Sequence, residues 1–316
     1  MASRLNEVLR AAMGRVYWAT PHFLAHVAGK AIILMYHRVL PRADLAATWV
    51  QPGMYVTPET FERHLQFLTA HFKVLTFREL LARWDSGDWD AAARYCVLTF
   101  DDGWLDNYQY AYPLLRAYSA PATIFLPTGL VGSRDWLWSD RLGDLLRRRR
   151  RGSAEEWDAQ IERAKDLSDE ERDGLIDAIA AEVGETGPRP RCFVDWDEVR
   201  DMSRHGIAFG SHSRTHANLA RLSGPQLEEE LRDSLAALRV PGVNHLPVLA
   251  YPNGDHTGAA AVAADAAGYR AAVTTRPGLE SRRPPNRFRL KRICVHEDVS
   301  RSIPTMTCHI ARMARQ

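Results

Sequence analysis

The chain has 316 residues, enough for one large domain or two ordinary ones, and 46% of them are apolar against 25% charged. That is globular composition and excludes general disorder. Lys and Arg total 41 against 39 Asp and Glu, a net charge of +2, which argues against a nucleic-acid-binding protein.

Residues 3–18 read as a basic amphipathic helix carrying Leu5, Leu9, Val16, Tyr17 and Trp18. It either packs on the domain or makes a peripheral contact with a membrane surface. Thr20, Pro21, His22 and His26 interrupt the stretch that follows, which is a poor secretory signal. No run of about 18 apolar residues exists, so no spanning helix is expected. Cys96, Cys192, Cys294 and Cys308 are widely spaced and form no CxxC pair. Reduced thiols in a cytoplasmic chain, acting at most at the inner face of the membrane, fit that pattern.

From Lys30 onward, short apolar runs alternate with amphipathic stretches. Strands are expected at Ala31–Tyr36, Phe72–Phe77, Tyr95–Phe100, Ala122–Leu126, Ile207–Gly210, Leu246–Ala250, Ala271–Thr274 and Leu290–Val295. Thr57-Pro58-Glu59 opens a helix whose apolar face carries Phe61, Leu65 and Leu68. Further helices are expected at Arg78–Trp84, Tyr108–Tyr118, Asp197–His205, Gln226–Leu238 and Ala259–Ala267. Residues 135–195 break the rhythm as a charged helical insertion, with the run Arg147–Arg151 and one long helix from Ala154 to about Val183. The Arg run reads first as a solvated face and second as an anion-binding surface. The expected organisation is an N-terminal segment 1–29, a domain 30–300 holding the insertion, and a C-terminal tail 301–316. Repeated strand–helix units imply a parallel sheet. With no GxGxxG or GxxxxGK[ST] after any strand, a barrel is favoured over a nucleotide-binding doubly wound sheet.

Polar residues collect where apolar strands end, which is where parallel α/β folds build sites. These are His37, the pair Asp101-Asp102, His212, and Tyr251-Pro-Asn-Gly254. Asp-Gly is also a common turn signal. His212 and His216, four residues apart, would lie on one face of a helical turn and could share a metal ion. One carboxylate and two imidazoles make a facial metal set, which leaves the second carboxylate free to act as a base.

Thr99-Phe-Asp-Asp-Gly103 and His212-Ser-Arg-Thr-His216 resemble the first two motifs of the NodB-like polysaccharide deacetylases, carbohydrate esterase family 4, in the same order and with a similar gap. The resemblance covers roughly residues 30–300. It implies a distorted (β/α)7 barrel and metal-dependent removal of an acetyl group from an N-acetylated sugar. Carried over by position, Asp101 is the general base, and Asp102, His212 and His216 hold a divalent metal, Zn2+ in most of the family. The general acid is His37 in Leu34-Met-Tyr-His37, as in members with this strand permuted to the front; His296 is the alternative. The family's base-orienting Arg is replaced by Ala250, and Arg292 could supply the missing charge. The usual fourth motif is not evident, and the Tyr-Pro-x-Gly form resembles the exopolysaccharide subgroup. The implied partner is an N-acetylated glycan or a lipid- or nucleotide-linked sugar. Alternatives are a metallohydrolase for another amide or ester, and a non-catalytic glycan-binding barrel.

Overall fold

Strands buried on both faces need apolar runs without polar interruption. The computed structural model, which describes residues 22–185 and 189–315, places those runs in sheet. The barrel strands are β1 (Ala31–Tyr36), β2 (Tyr95–Phe100), β3 (Ala122–Leu126), β4 (Ile207–Ser211), β5 (His245–Ala250), β6 (Ala271–Val273) and β7 (Ile293–Cys294). They pair in parallel in the order β7-β1-β2-β3-β4-β5-β6. Leu290 bridges to Val273 on β6, while Ile293 pairs with Leu34 on β1. The segment 290–294 therefore joins the two edges and curls the sheet into the expected distorted seven-stranded barrel. Only its last part is regular strand, because it serves both edges in turn.

Side-chain alternation sets two cores. Ile33, Val97, Phe125, Val248 and Val273 fill the barrel interior. Ile32, Leu34, Leu98, Phe100 and Phe209 pack outward against helices. Helix α1 (Pro58–His71) starts as expected, with the Thr57 side chain accepting from the Thr60 amide, and it buries Phe61, Leu65 and Leu68. The strand expected at Phe72–Phe77 is shorter, Lys73–Val74. A capping box between Thr76 and Glu79 diverts the chain into α2 (Phe77–Ser86), whose Leu80, Leu81 and Trp84 join the interior core. The helix expected at Tyr108–Tyr118 begins as a π-helical turn, Asn107–Ala111, before Tyr112–Ala117.

The insertion forms α3 (Trp138–Arg149), α4 (Ala154–Ala164) and α5 (Asp169–Glu182). The single long helix expected from Ala154 is broken, because Ser168 and Glu171 form a capping box that starts α5 anew. These helices share a small core of Leu142, Leu145, Ile161, Ile176 and Ile179 with Trp49. A Cβ at Gly143 would lie 2.2 Å from the Trp49 ring, so only glycine lets that indole seat on α3. The Arg run is neutralised along its own face: Arg147 pairs with Asp144, and Arg149 and Arg151 both pair with Glu182.

Beyond the insertion lie α6 (Trp196–Arg204), α7 (Gly224–Leu238), α8 (Gly258–Ala266) and α9 (Ile303–Met313). Residues 301–316 were expected as a tail, but α9 docks instead, with Met306 and Ile310 fully buried in the outer core. The expected helix at 3–18 lies outside the described residues. Among the described residues, no helix is long and apolar enough to cross a membrane.

Candidate active site

Period-two alternation carries the inner face of β2 from Tyr95 through Val97 and Thr99 to Asp101. Asp101 therefore points into the barrel. There its two carboxylate oxygens accept from the two terminal nitrogens of Arg292, at 2.6 and 2.7 Å. Arg292 is fully buried, and its Nε donates to the Thr274 carbonyl. The charge expected from a neighbouring strand is thus delivered by the segment that closes the barrel. Burial opposes ionisation of Asp101, but the charges of Arg292 and His212 outweigh it and hold the carboxyl below its ordinary range.

Asp102 turns the other way because the backbone reverses there. Its φ is +72° and that of Gly103 is +65°. The turn signal of Asp-Asp-Gly is real, and it is what separates the two carboxylates. A left-handed non-glycine residue costs about 1–3 kcal/mol, and Ser213, His216 and Asn253 share that conformation near the same cleft. A Cβ at Gly103 would lie 2.4 Å from the Leu126 side chain.

His212 and His216 do converge, but not on a helical turn. Residues 212–216 form a loop after β4, with Ser213 at φ +61° and His216 at +64°. The loop is held by Glu230 on α7, a residue that sequence reasoning missed. One Glu230 oxygen accepts from the amides of Arg214 and Thr215 at 2.8 and 3.0 Å, and the other from the Thr215 hydroxyl at 2.9 Å. Ser234, one helical turn on, donates to the Ser213 carbonyl. Within Glu228-Glu229-Glu230, no sequence signal separates the buried carboxylate from its solvated neighbours.

The donor atoms of Asp102, His212 and His216 all lie within 4.8 Å of one another. Asp102 Oδ1 is 3.3 Å from His212 Nε2 and 3.4 Å from His216 Nε2. Tetrahedral ligands with bonds of about 2.0–2.1 Å stand about 3.3–3.4 Å apart, so this spacing fits one zinc-sized ion. The orientations fit as well. His212 Nδ1 donates to the Ala250 carbonyl at 2.8 Å, which leaves Nε2 with its lone pair free. Trp104 Nε1 donates to Asp102 Oδ2, which leaves Oδ1 for a metal. Burial opposes ionisation of Asp102, yet the two imidazoles facing it hold it well below the ordinary range.

His37 follows β1 and lines the same cavity of about 430 Å³ as these residues. Its carbonyl accepts from Asn107 at 2.8 Å, so the π-turn pins its backbone. Burial lowers its pKa, and its imidazole also feels Asp102, Asp101, Arg292 and His212. His296 borders the cavity at a different wall, beside Gly53, with Nδ1 3.4 Å from Asp298. Burial lowers its pKa too, and the charge that opposes this is that of Asp298, not of the Asp101–Asp102 pair. His37 is therefore the imidazole placed among the reactive groups.

Residues 89–272, more than half of the chain, match the polysaccharide deacetylase family model. The "Putative polysaccharide deacetylase YxkH" of Bacillus subtilis is 26% identical over 257 residues, 80% of this chain and 67% of that protein. The poly-β-1,6-N-acetyl-D-glucosamine N-deacetylase of Staphylococcus epidermidis is 31% identical over 121 residues, 36% of this chain, and the match spans 41% of that protein's length. Among solved structures, the Streptococcus pyogenes deacetylase PplD superposes with a TM-score of 0.60 at 22% identity, over 92% of this chain and 99% of that one. IcaB from Ammonifex degensii gives 0.58 at 18% identity, over 89% and 97%. With that barrel and the family match across both motif-bearing strand ends, the chain belongs to the polysaccharide deacetylase family.

Proposed function

We propose that this protein is a metal-dependent hydrolase that removes the acetyl group from an N-acetylated sugar of a glycan. The observation that carries the proposal is the split of one Asp-Asp turn: Asp102 faces two imidazole Nε2 atoms, while Asp101 is clamped by Arg292. Zinc held by Asp102, His212 and His216 would polarise the acetyl carbonyl and acidify a water molecule. Asp101, ionised at neutral pH, takes the proton from the attacking water as general base. Arg292 fixes both oxygens of that base, so it cannot swing to join the metal ligands. His37, on the neighbouring strand end, donates a proton to the departing amine nitrogen, without which the amide is a poor leaving group. The walls of the cleft include Trp104 and Tyr251.

The staphylococcal relatives are named for poly-β-1,6-N-acetylglucosamine, so an oligomer of that sugar is the first substrate to try. Acetate release should be measured with wild type and Asp101→Asn on β-1,6-linked and chitin-type pentamers. The proposal expects release by wild type and a loss of at least about 100-fold in Asp101→Asn, within the range that general base catalysis contributes. An Asp101→Asn enzyme with undiminished acetate release refutes the mechanism.

A further inference from the structure

Two charged side chains in the cleft are not used by the chemistry above. Arg38 follows His37 on the barrel side; Asp140 sits in the first turn of α3, on the insertion side. Arg38 is only 12% exposed at its side chain, and its Nε donates to Asp106 at 2.8 Å. The second Asp106 oxygen is taken by the Val39 amide, and the guanidinium lies 4.3 Å over the Trp104 ring. The group is thus fixed at one edge and one face. Its two terminal nitrogens have no hydrogen-bond partner among the described residues.

Asp140 is the complement. The Ser139 hydroxyl donates to one of its oxygens at 3.1 Å, and no cation lies within ion-pair distance among the described residues. Arg38 is nonetheless the opposite charge it feels, with Asp102 beyond. Burial pushes its carboxyl up to about 7, so near neutrality it can either accept from or donate to a hydroxyl. A planar donor fork and a carboxylate lining one cleft, beyond ion-pair distance of each other, match the donor–acceptor hydroxyls of a sugar. Trp138, two residues before Asp140, lines the same wall and is braced from behind by Arg172, 4.7 Å from its ring.

We propose that Arg38 and Asp140 grip the sugar that carries the acetamido group: the guanidinium donates to its hydroxyl oxygens, the carboxylate binds a further hydroxyl, and Trp138 lies along the ring. The helical insertion is then a specificity element of the active site. This deepens the deacetylase proposal and rests on it for the identity of the ligand.

The test uses Asp140→Ala and Arg38→Lys in the full chain, with β-1,6-linked N-acetylglucosamine pentamer and chitopentaose as probes. Steady-state acetate release should show KM raised about tenfold or more in Asp140→Ala, with kcat changed less than threefold. Arg38→Lys, which keeps a charge for Asp106, should show the same split. In parallel, calorimetry with the Asp101→Asn protein should show pentamer binding weakened at least tenfold when Asp140→Ala is added, while zinc affinity is unchanged. KM and binding within twofold of the parent overturn the grip, as does a fall confined to kcat or a parent that binds neither pentamer. Pentamer binding that depends on Asp140, in a wild type that releases no acetate, overturns the deacetylase proposal alone.

Discussion

Replacing Arg292 with Met isolates the electrostatics of the site. The guanidinium is fully buried and makes two short bonds to Asp101, so the substitution leaves a desolvated carboxylate without a counter-charge. Breaking a buried ion pair from one side typically costs about 3–5 kcal/mol. In wild type, the depressed pKa of Asp101 adds stability above the unfolded carboxylate pKa, and that stability is lost as pH falls through the folded value. In the variant, burial is opposed by the neighbouring imidazoles but no longer by Arg292, so the folded pKa rises: the variant gains stability relative to wild type as pH falls from 7 towards about 4. Urea unfolding of wild type, Arg292→Met, Asp101→Asn and the double variant at pH 7 and pH 5 measures this. The single Arg292 variant should lose about 3–5 kcal/mol at pH 7 and less at pH 5, and the double variant should recover a large part. The acid limb of kcat/KM should also move to higher pH, because the base now needs more alkaline conditions to ionise. A loss under about 1 kcal/mol, with an unmoved acid limb, would show that the pair does not govern the charge of Asp101.

Glu230→Gln should weaken zinc binding about 10- to 100-fold in a chelator competition, because the loop presenting His216 loses its charged acceptor; unchanged affinity refutes that role. His64 is buried between Tyr36 and the Ser300 carbonyl, and burial lowers its pKa to about 4. Its folded pKa lies below the unfolded value near 6.5, so wild type should lose about 2 kcal/mol from this group between pH 7 and 5. His64→Gln should lose that much less over the same interval in urea unfolding, and equal losses would contradict the assignment. Gly143→Ala should cost about 1–3 kcal/mol by displacing the Trp49 ring, read as a lower urea midpoint with altered near-ultraviolet dichroism.

The barrel was legible because β1 to β5 are apolar runs bounded by polar turns, a pattern that only doubly buried strands need. The α4–α5 break was legible in principle, since Ser168-Asp-Glu-Glu171 is a capping box, but helical periodicity across 154–183 masks it. The tail was misjudged because α9 keeps its apolar positions at helical spacing among polar ones, and burial is decided by what it meets. The site was legible to the extent that its residues sit at strand ends: Asp101, Asp102 and His212 follow β2 and β4 directly. The backbone path was not. The HxxxH spacing suggests a helical turn, whereas two left-handed residues and the Glu230 clamp shape a loop. Trp104, Arg38 and Asp140 are separated in sequence and meet only because the barrel closes and the insertion folds back on it, which no local pattern encodes.

The most direct measurement is acetate release from the β-1,6-linked N-acetylglucosamine pentamer by protein stripped with chelator and then titrated with zinc, beside Asp102→Ala and His216→Ala. Activity that vanishes on stripping, returns at one zinc per chain and stays absent in both variants is the expected result. Full activity in the stripped protein, or in either variant, would contradict an ion held by Asp102, His212 and His216.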